Sequence, residues 1–356
     1  MNSDEISNFE KEMTENSQEN KIPAKSLLEF LTPKTARDYL PPPGMILVGE
    51  NHVVRGSVFV IGGAPGVGKS RASVALAVAG ATARPWFGLR VHRPFKTMIV
   101  QNENGRIRLS EEFFAMNCDE LEDFVRISPP PPFGIALRNG DFFRALAAEI
   151  TAFKPDVLLV DPWNAVAQDD KARDYLETFE LIRSLVPASD MSPAIGIVAH
   201  TRKPKHDERS SGRGLLNLLA GSYVLGSVPR SAFVIQPASD APEDNRVVFT
   251  CCKNNDGPMG EQSAWIRRNG LFESVTDFDW EEFRGKGGEG RSISADDLAS
   301  IFEDGTRILT KQEAVNLLMD TTGCAKSAAY NALKTNGRFA KNLAAAFPKG
   351  SLKWKS

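Results

Sequence analysis

The chain has 356 residues, of which 42% are hydrophobic and 25% are charged, a composition typical of a folded, soluble protein rather than a disordered one. Its sequence has no apolar run of the ~18–20 residues that a membrane helix needs, its polar N-terminus predicts no secretory signal, and its four cysteines have no spacing typical of a disulfide scaffold or a zinc ribbon. We therefore expect a cytoplasmic protein with no membrane partner.

The formal net charge of −2 conceals an asymmetry along the chain. Residues 1–22 contain six acids and two bases, whereas residues 306–356 contain nine bases and two acids. The first stretch predicts a disordered acidic arm. The second indicates an anionic partner for the C-terminal part, although a solvated basic surface would explain the charge equally well.

Strand-like and helix-like segments alternate through the middle of the chain. Residues 23–56 form a lead-in that contains three consecutive prolines, Pro41–Pro43, and residues 57–284 form the predicted core. Predicted strands are residues 57–61, 97–101, 156–160, 194–199, 231–235 and 246–252; predicted helices are 71–83 and 176–185. This order predicts an α/β fold with a mainly parallel central sheet flanked by helices. Because the later strands follow one another without helices, we expect an antiparallel extension.

A glycine-rich linker at residues 285–292 precedes a C-terminal segment, residues 293–356. Three stretches of this segment have helical periodicity: residues 296–302, 311–319 and 326–333. Thr310 and Glu313 have the spacing of a capping box, so a helix is predicted to begin there. With a turn at Asn336 and a basic wing over residues 339–354, the segment resembles a helix-turn-helix with a winged-helix character.

A complete phosphate-binding motif follows the first core strand. Residues 63–70 satisfy G-x-x-x-x-G-K-[ST], with an apolar strand before them and an alanine-rich helix after them. The backbone N–H groups of such a loop cradle phosphate oxygens, Lys69 reaches the β- and γ-phosphates, and Ser70 ligates Mg²⁺. The sequence therefore predicts ATP and Mg²⁺ as cofactors. The predicted nucleotide-binding residues are Gly63, Ala64, Pro65, Gly66, Val67, Gly68, Lys69, Ser70 and Arg71.

Three later strands also end in polar side chains. Asp161 ends an apolar strand, and at the carboxyl edge of the sheet it is predicted to position Mg²⁺ together with Ser70. Glu103 follows the strand 97–101, where a carboxylate could activate water; on position alone, an exposed surface glutamate is an equal alternative. His200 ends the strand 194–199 and could either sense the γ-phosphate or be an ordinary core histidine.

Together these residues resemble the RecA-like ATPases, and most of all the RepA-type hexameric replicative helicases of plasmids and phages. The resemblance covers roughly residues 45–270 and includes Arg213-Gly214, Gly221-Ser222 and Lys253–Pro258. It implies that Glu103 activates water, Asp161 is the Walker B aspartate and His200 couples nucleotide state to DNA-binding loops. It also implies a basic finger that reaches the neighbouring subunit. Relatives often have an arginine where this chain has Asn255, so Lys253 or Arg230 would have that role.

The resemblance further implies that the basic segment 202–221 lines the channel of a ring and follows single-stranded DNA; a solvated loop is the alternative. For the C-terminal segment, contact with duplex DNA and packing between subunits both remain open. The predicted DNA-binding residues are Arg202, Lys203, Lys205, Arg209, Arg213, Lys326 and Lys334. These features predict a hexameric DNA helicase. The alternatives are a filament-forming recombination or repair ATPase, and a DNA-binding regulator or helicase loader that uses ATP as a switch.

Overall fold

A computed structural model describes residues 29–167, 171–187, 189–202, 211–219, 221, 223–239, 241, 243–280, 283, 293–324, 329–330, 332–335, 339, 341–348 and 350–355. The predicted acidic arm, the glycine-rich linker and four predicted DNA contacts (Lys203, Lys205, Arg209 and Lys326) lie outside the described residues. Contacts along the chain divide it into two compact units, residues 1–43 and residues 44–356. The finer domain boundaries stay a prediction.

In residues 29–43, the described part of the first unit, the chain forms one short helix, α1 (Pro33–Arg37), which begins at a proline that fixes a helical φ angle. The Thr32 side chain accepts a hydrogen bond from the Thr35 backbone N–H and so caps this helix. Sequence analysis did not predict the helix.

A nine-stranded sheet forms the centre of the second unit, preceded by a hairpin of β1 (Ile46–Val48) and β2 (Val53–Val54). The strands of the sheet, in chain order, are β3 (Val58–Gly63), β4 (Thr97–Gln101), β5 (Val125–Ile127), β6 (Val157–Asp161), β7 (Ala194–His200), β8 (Ser231–Pro237), β9 (Arg246–Asn254), β10 (Ser263–Arg268) and β11 (Leu271–Ser274). In space their order is β11-β10-β9-β8-β3-β7-β6-β4-β5. Strands β3 to β8 pair in parallel, and β8 to β11 pair antiparallel. The predicted parallel sheet and its antiparallel extension are both confirmed.

Helices cover this sheet because its strands are apolar on both faces. Along β3, Val58 and Val60 join one hydrophobic cluster, whereas Phe59 and Ile61 join the cluster on the other face. The helices of this region are α2 (Lys69–Thr82), α3 (Arg106–Phe113), α4 (Gly140–Phe153), α5 (Ala172–Ser184) and α6 (Val224–Ser227). The sequence pattern predicts α2 and α5 to within a few residues, but it does not predict α3, α4, β5, β10 or β11.

The described C-terminal residues form a small group of helices and short strands. These are α7 (Ala295–Ile301), β12 (Leu309–Thr310), α8 (Lys311–Thr322), β13 (Leu343–Ala346) and β14 (Ser351–Trp354). Thr310 and Glu313 form the predicted capping box at the start of α8, with side chain to backbone hydrogen bonds in both directions. The strands pair antiparallel in the order β12-β14-β13, and Leu298, Val315 and Leu352 share one apolar core. Of the predicted recognition helix, Lys334 is described and exposed.

Candidate functional site

The register of the parallel strands brings the predicted site residues to one edge of the sheet. Gly63 at the end of β3 pairs with His200 at the end of β7, and Asp161 at the end of β6 pairs with Gln101 at the end of β4. Strand β7 lies between β3 and β6. Strand β6 is therefore not a neighbour of β3, but the Asp161 side chain reaches the phosphate loop, where it is hydrogen-bonded to Ser70. The loop that follows β4 carries Glu103 to the same edge.

The phosphate loop connects β3 to α2 in a conformation that requires glycine. Gly66 and Gly68 have φ angles of 76° and 104°, which non-glycine residues rarely adopt. Gly68 immediately precedes α2, so the first backbone N–H groups of this helix point into the loop, where they favour anions. The sequence thus folds here into a cradle for phosphate oxygens.

Lys69 and Asp161 form the buried centre of the site, each only a few per cent exposed. The Lys69 ammonium donates a 2.9 Å hydrogen bond to the Ala64 carbonyl, across its own loop. Burial lowers the pKa of Lys69, and the negative charges of Asp161 and Glu103 oppose that shift. The Ala64 carbonyl therefore holds the Lys69 side chain inside the loop, where a phosphate oxygen would replace this carbonyl as its partner.

Asp161 is the strongly perturbed acid of the site. Burial raises its pKa to about 6; a hydrogen bond with the Ser70 hydroxyl opposes this shift, and the charge of Glu103 adds to it. The negative charges of Glu103 and Glu112 both act on the Asp161 carboxyl group, and the charge of Lys69 offsets them only in part. Hard oxygen ligands of this kind are those that Mg²⁺ prefers, so Ser70 and Asp161 fit the predicted cation.

Glu103 and His200 complete the cluster. Glu103 is exposed, yet its charge acts on Lys69, Asp161 and His200. Burial lowers the pKa of His200, and the positive charge of Lys69 lowers it further. The His200 Nδ1 atom is buried and has no hydrogen-bond partner among the described residues. Five of the seven side chains predicted for the chemistry of the site therefore lie together: Lys69, Ser70, Glu103, Asp161 and His200.

Gln101, which sequence analysis missed, holds the loop that carries Glu103. Its Oε1 atom accepts hydrogen bonds from the backbone N–H groups of Glu103 (3.0 Å) and Asn104 (2.7 Å). Its Nε2 atom donates to the carbonyls of Asn104 and Ser128, each at 2.7 Å. The side chain is almost completely buried. A glutamine at a strand end is an ordinary sequence feature, so only the three-dimensional contacts reveal this function.

A second unpredicted group, Glu112, lies beside the start of α2. The Glu112 carboxylate is buried, and its Oε1 atom lies 3.5 Å from the Arg71 Nε atom. Burial raises the pKa of Glu112. Glu112 belongs to α3, which begins three residues after Glu103, and its backbone lies against the β10–β11 turn at Gly270. The helix after Glu103 thus contacts both the phosphate-loop helix and the antiparallel strands.

The two candidate trans-acting cations lie away from this cluster, at the opposite edge of the sheet, where β8 begins and β9 ends. Lys253 donates hydrogen bonds to the carbonyls of Gly226 (2.8 Å) and Ser227 (3.0 Å), at the end of α6. Arg230 is exposed and forms a two-pronged ion pair with Asp256. Both cations therefore have partners within their own chain.

The predicted channel segment begins and ends at the nucleotide edge. Thr201 forms a β-bridge with Leu219, and the Arg202 N–H donates to the Leu218 carbonyl at 2.7 Å. Arg202 is half-buried at the start of the segment, and Arg213 is exposed near its end.

Within the described residues, no helix combines the length and the apolar character that crossing a bilayer requires.

Comparison with known proteins supports the nucleotide-binding interpretation. Comparison with curated proteins gave no match. The family model AAA_25, described as an AAA domain, matches residues 24–205, which is just over half of the chain and includes the phosphate loop, Glu103, Asp161 and His200. An α/β fold of the P-loop kind and a phosphate cradle at the carboxyl edge of its sheet agree with that match. The chain therefore belongs to the AAA_25 family of AAA domains, which are P-loop ATPase domains.

Proposed function

We propose that the chain hydrolyses ATP at this edge of the sheet and uses the energy to move along DNA. The observation that carries the first part is the convergence of Lys69, Asp161 and Glu103 on one site. A phosphate cradle alone would serve for binding. An exposed carboxylate that is electrostatically coupled to the cradle lysine adds a base that solvent can reach.

Each residue has a role that its position supports. The loop backbone and Lys69 bind the phosphates and hold the terminal one in place. Ser70 and Asp161 would hold Mg²⁺, which neutralises phosphate charge when it is bound. Glu103 orients a water molecule and accepts its proton, while Gln101 fixes the position of the Glu103 loop. Phosphoryl transfer depends mainly on such positioning and charge neutralisation.

The proposed link to DNA passes through His200. This histidine ends β7 at the nucleotide site, and the basic segment begins two residues later. Because Thr201 and Leu219 are bridged, both ends of that segment are attached beside His200. We infer that a change at His200 on hydrolysis shifts the segment and the DNA that it holds, as the resemblance to RepA-type helicases implies. A homohexameric ring would place these segments around a single strand.

In such a ring, Lys253 would act on the neighbouring subunit's nucleotide. It would have to leave the α6 carbonyls that it contacts in the single chain. Arg230 is the other candidate, and it would have to leave Asp256.

Mixing two inactive variants tests the shared site. Lys69→Ala and Lys253→Ala should each lose hydrolysis, the second by about 10³-fold or more. Mixed rings contain interfaces with an intact loop on one side and an intact Lys253 on the other, so activity should partly return. Arg230→Ala mixed in the same way is the parallel experiment. If neither mixture recovers activity although native mass measurement shows mixed assemblies, the site is built within one chain.

Electron microscopy with single-stranded DNA and a slowly hydrolysed ATP analogue tests the assembly. Closed rings are expected. An open filament would instead support the recombination alternative, and DNA binding that is controlled by ATP without DNA-stimulated hydrolysis would support the regulator alternative.

For the C-terminal residues we propose contact with duplex DNA. Exposed lysines lie on or beside the three-stranded sheet, at positions 341, 353 and 355. Replacing these three lysines by glutamine should reduce the slope of log affinity against log salt by about 0.9 for each phosphate contact that is lost. An unchanged slope would assign this surface to protein contacts.

A further inference from the structure

Arg267, on an antiparallel strand, reaches the phosphate loop of its own chain. This residue lies on β10, and its Nη1 atom donates a 2.8 Å hydrogen bond to the Gly66 carbonyl at the middle of the loop. Its side chain also borders Gly68, since a Cβ atom at Gly68 would lie 3.2 Å from the Arg267 Cδ atom. The guanidinium thus stands at the rim of the cradle that the loop forms.

The remaining partners of Arg267 leave its charge uncompensated among the described residues. Its Nε and Nη2 atoms donate to the backbone and side-chain oxygens of Asn245, which are neutral acceptors. Burial lowers the pKa of Arg267, and the like charge of Arg71 lowers it further. Asp244 also acts on Arg267, but its carboxylate accepts three hydrogen bonds from Arg246, one from the backbone N–H and two from the guanidinium.

Arg71, the first residue after the phosphate loop, forms an ion pair with the Glu112 carboxylate at 3.5 Å. Near the loop, two guanidinium groups, Arg71 on α2 and Arg267 on β10, are therefore accompanied by one paired carboxylate, Glu112 on α3. Such an excess of positive charge in a half-buried position is costly unless an anion joins it. A guanidinium also presents donors in a planar fork that matches phosphate oxygens.

We propose that Arg267 binds the polyphosphate of the nucleotide held by its own subunit, as a second side-chain cation beside Lys69. This inference rests on the proposed function, because it names a further ligand for the same nucleotide. The chemical class recognised is a nucleoside di- or triphosphate. Arg267 would act in cis, in contrast to Lys253, for which a role in the neighbouring subunit is proposed.

A set of substitutions separates charge from loop support. Arg267→Gln retains an N–H donor for the Gly66 carbonyl but has no charge, whereas Arg267→Lys keeps the charge. Arg268→Ala is the matched control, since Arg268 is the next residue on the same strand, is exposed and pairs with Glu273 at 2.9 Å. Calorimetric titration of each full-length variant with ADP and with a non-hydrolysable ATP analogue gives the affinities.

We expect Arg267→Gln to weaken both nucleotides about 10–100-fold, the range of one charge-assisted hydrogen bond. Arg267→Lys should recover part of the loss, and Arg268→Ala should bind like the original chain. The slope of log affinity against log salt should be shallower for Arg267→Gln, because one cation fewer meets the phosphates.

The proposal would be overturned if the Arg267→Gln variant bound both nucleotides as tightly as the original chain. Arg267 would then only support the loop. Lys69→Ala distinguishes failure of the nucleotide site from failure of the role proposed for Arg267. If Lys69→Ala abolishes binding while every Arg267 variant binds normally, the nucleotide site stands and this inference fails. If the original chain binds neither nucleotide, both fail.

Discussion

The parallel and antiparallel parts of the central sheet have different roles. On the parallel side, β3, β7, β6 and β4 all end at the same edge. Strand β3 leads into the phosphate loop, and the other three strand ends contribute polar residues to the site. On the antiparallel side, the strands mainly supply aromatic packing. Phe249 on β9 stacks on Phe87 with ring centroids 4.2 Å apart, and Trp265 on β10 meets the same ring edge-on.

Strand direction explains this difference. Parallel strands all present their carboxyl ends at one edge, so consecutive strand ends place their side chains in one crevice. Antiparallel strands alternate in direction, so their carboxyl ends do not meet at one edge. Among the described residues of β9 to β11, Arg267 extends to that crevice. Four substitutions can test whether chemistry and packing are really separated in this way.

Lys69→Ala should have the largest effect. It removes the buried cation from the phosphate cradle, so nucleotide binding or hydrolysis should be lost altogether. Lys96→Ala is the control, because Lys96 precedes β4 at the opposite end of that strand. Turnover by Lys69→Ala near the original rate, in a steady-state phosphate-release assay, would contradict the assignment of the loop.

Glu103→Gln should keep ATP binding and lower turnover by about 10²–10⁴-fold, because an amide cannot accept the proton from water. Glu111→Gln provides a control on the following helix, where the residue is exposed and pairs with Arg108. Single-turnover measurements at saturating ATP report the chemical step. Loss of ATP affinity with unchanged turnover would give Glu103 a different role.

Phe249→Ala should act on stability rather than on chemistry. Phe249 is buried among Phe87, Trp86 and Phe233, and removal of such a ring costs about 3–5 kcal/mol of unfolding free energy. Phe114→Ala, at a ring that is 89% exposed, should cost almost nothing. Chemical denaturation measures both. At temperatures where Phe249→Ala is folded, its nucleotide affinity should be normal; a loss there would mean that the two parts of the sheet are not separable.

Gln101→Met should have the smallest effect, about a 10-fold fall in kcat with KM nearly unchanged. The variant keeps the volume but leaves the backbone groups of residues 103, 104 and 128 without their partner, so Glu103 is less well positioned. Gln262→Met, which removes one hydrogen bond to Thr250 on the antiparallel side, is the control. A higher KM with unchanged kcat would show that Gln101 serves binding instead.

The sequence was informative wherever local pattern and chemistry coincide. Strand 97–101 was predicted with its observed bounds, and the capping box at Thr310 formed as expected. The polar residues at the ends of apolar strands were brought together because parallel pairing fixes where strand ends lie. These inferences needed only hydrophobic periodicity and motif spacing.

Contacts between distant segments could not be predicted in this way. Arg267 and Gly66 are 201 positions apart, and no local feature of β10 marks that arginine rather than Arg268. Helix α3 was missed because its charged and apolar residues lack a clean amphipathic stripe, with Ile107 exposed and Glu112 buried. Lys253 was predicted as a cation that reaches the neighbouring subunit, and periodicity does not identify the helix-end carbonyls that its ammonium contacts within its own chain.

The turn at Gly270 fixes a spacing in the active site. Gly270 has a φ angle of 78°, and a Cβ atom there would lie 2.3 Å from the Glu112 carbonyl oxygen. Any side chain at this position would therefore have to push α3 outward. Since α3 begins three residues after Glu103, that displacement would reach the loop of the proposed base. The missing side chain of one glycine thus sets how closely the hairpin that carries Arg267 and the helix that follows Glu103 can approach each other.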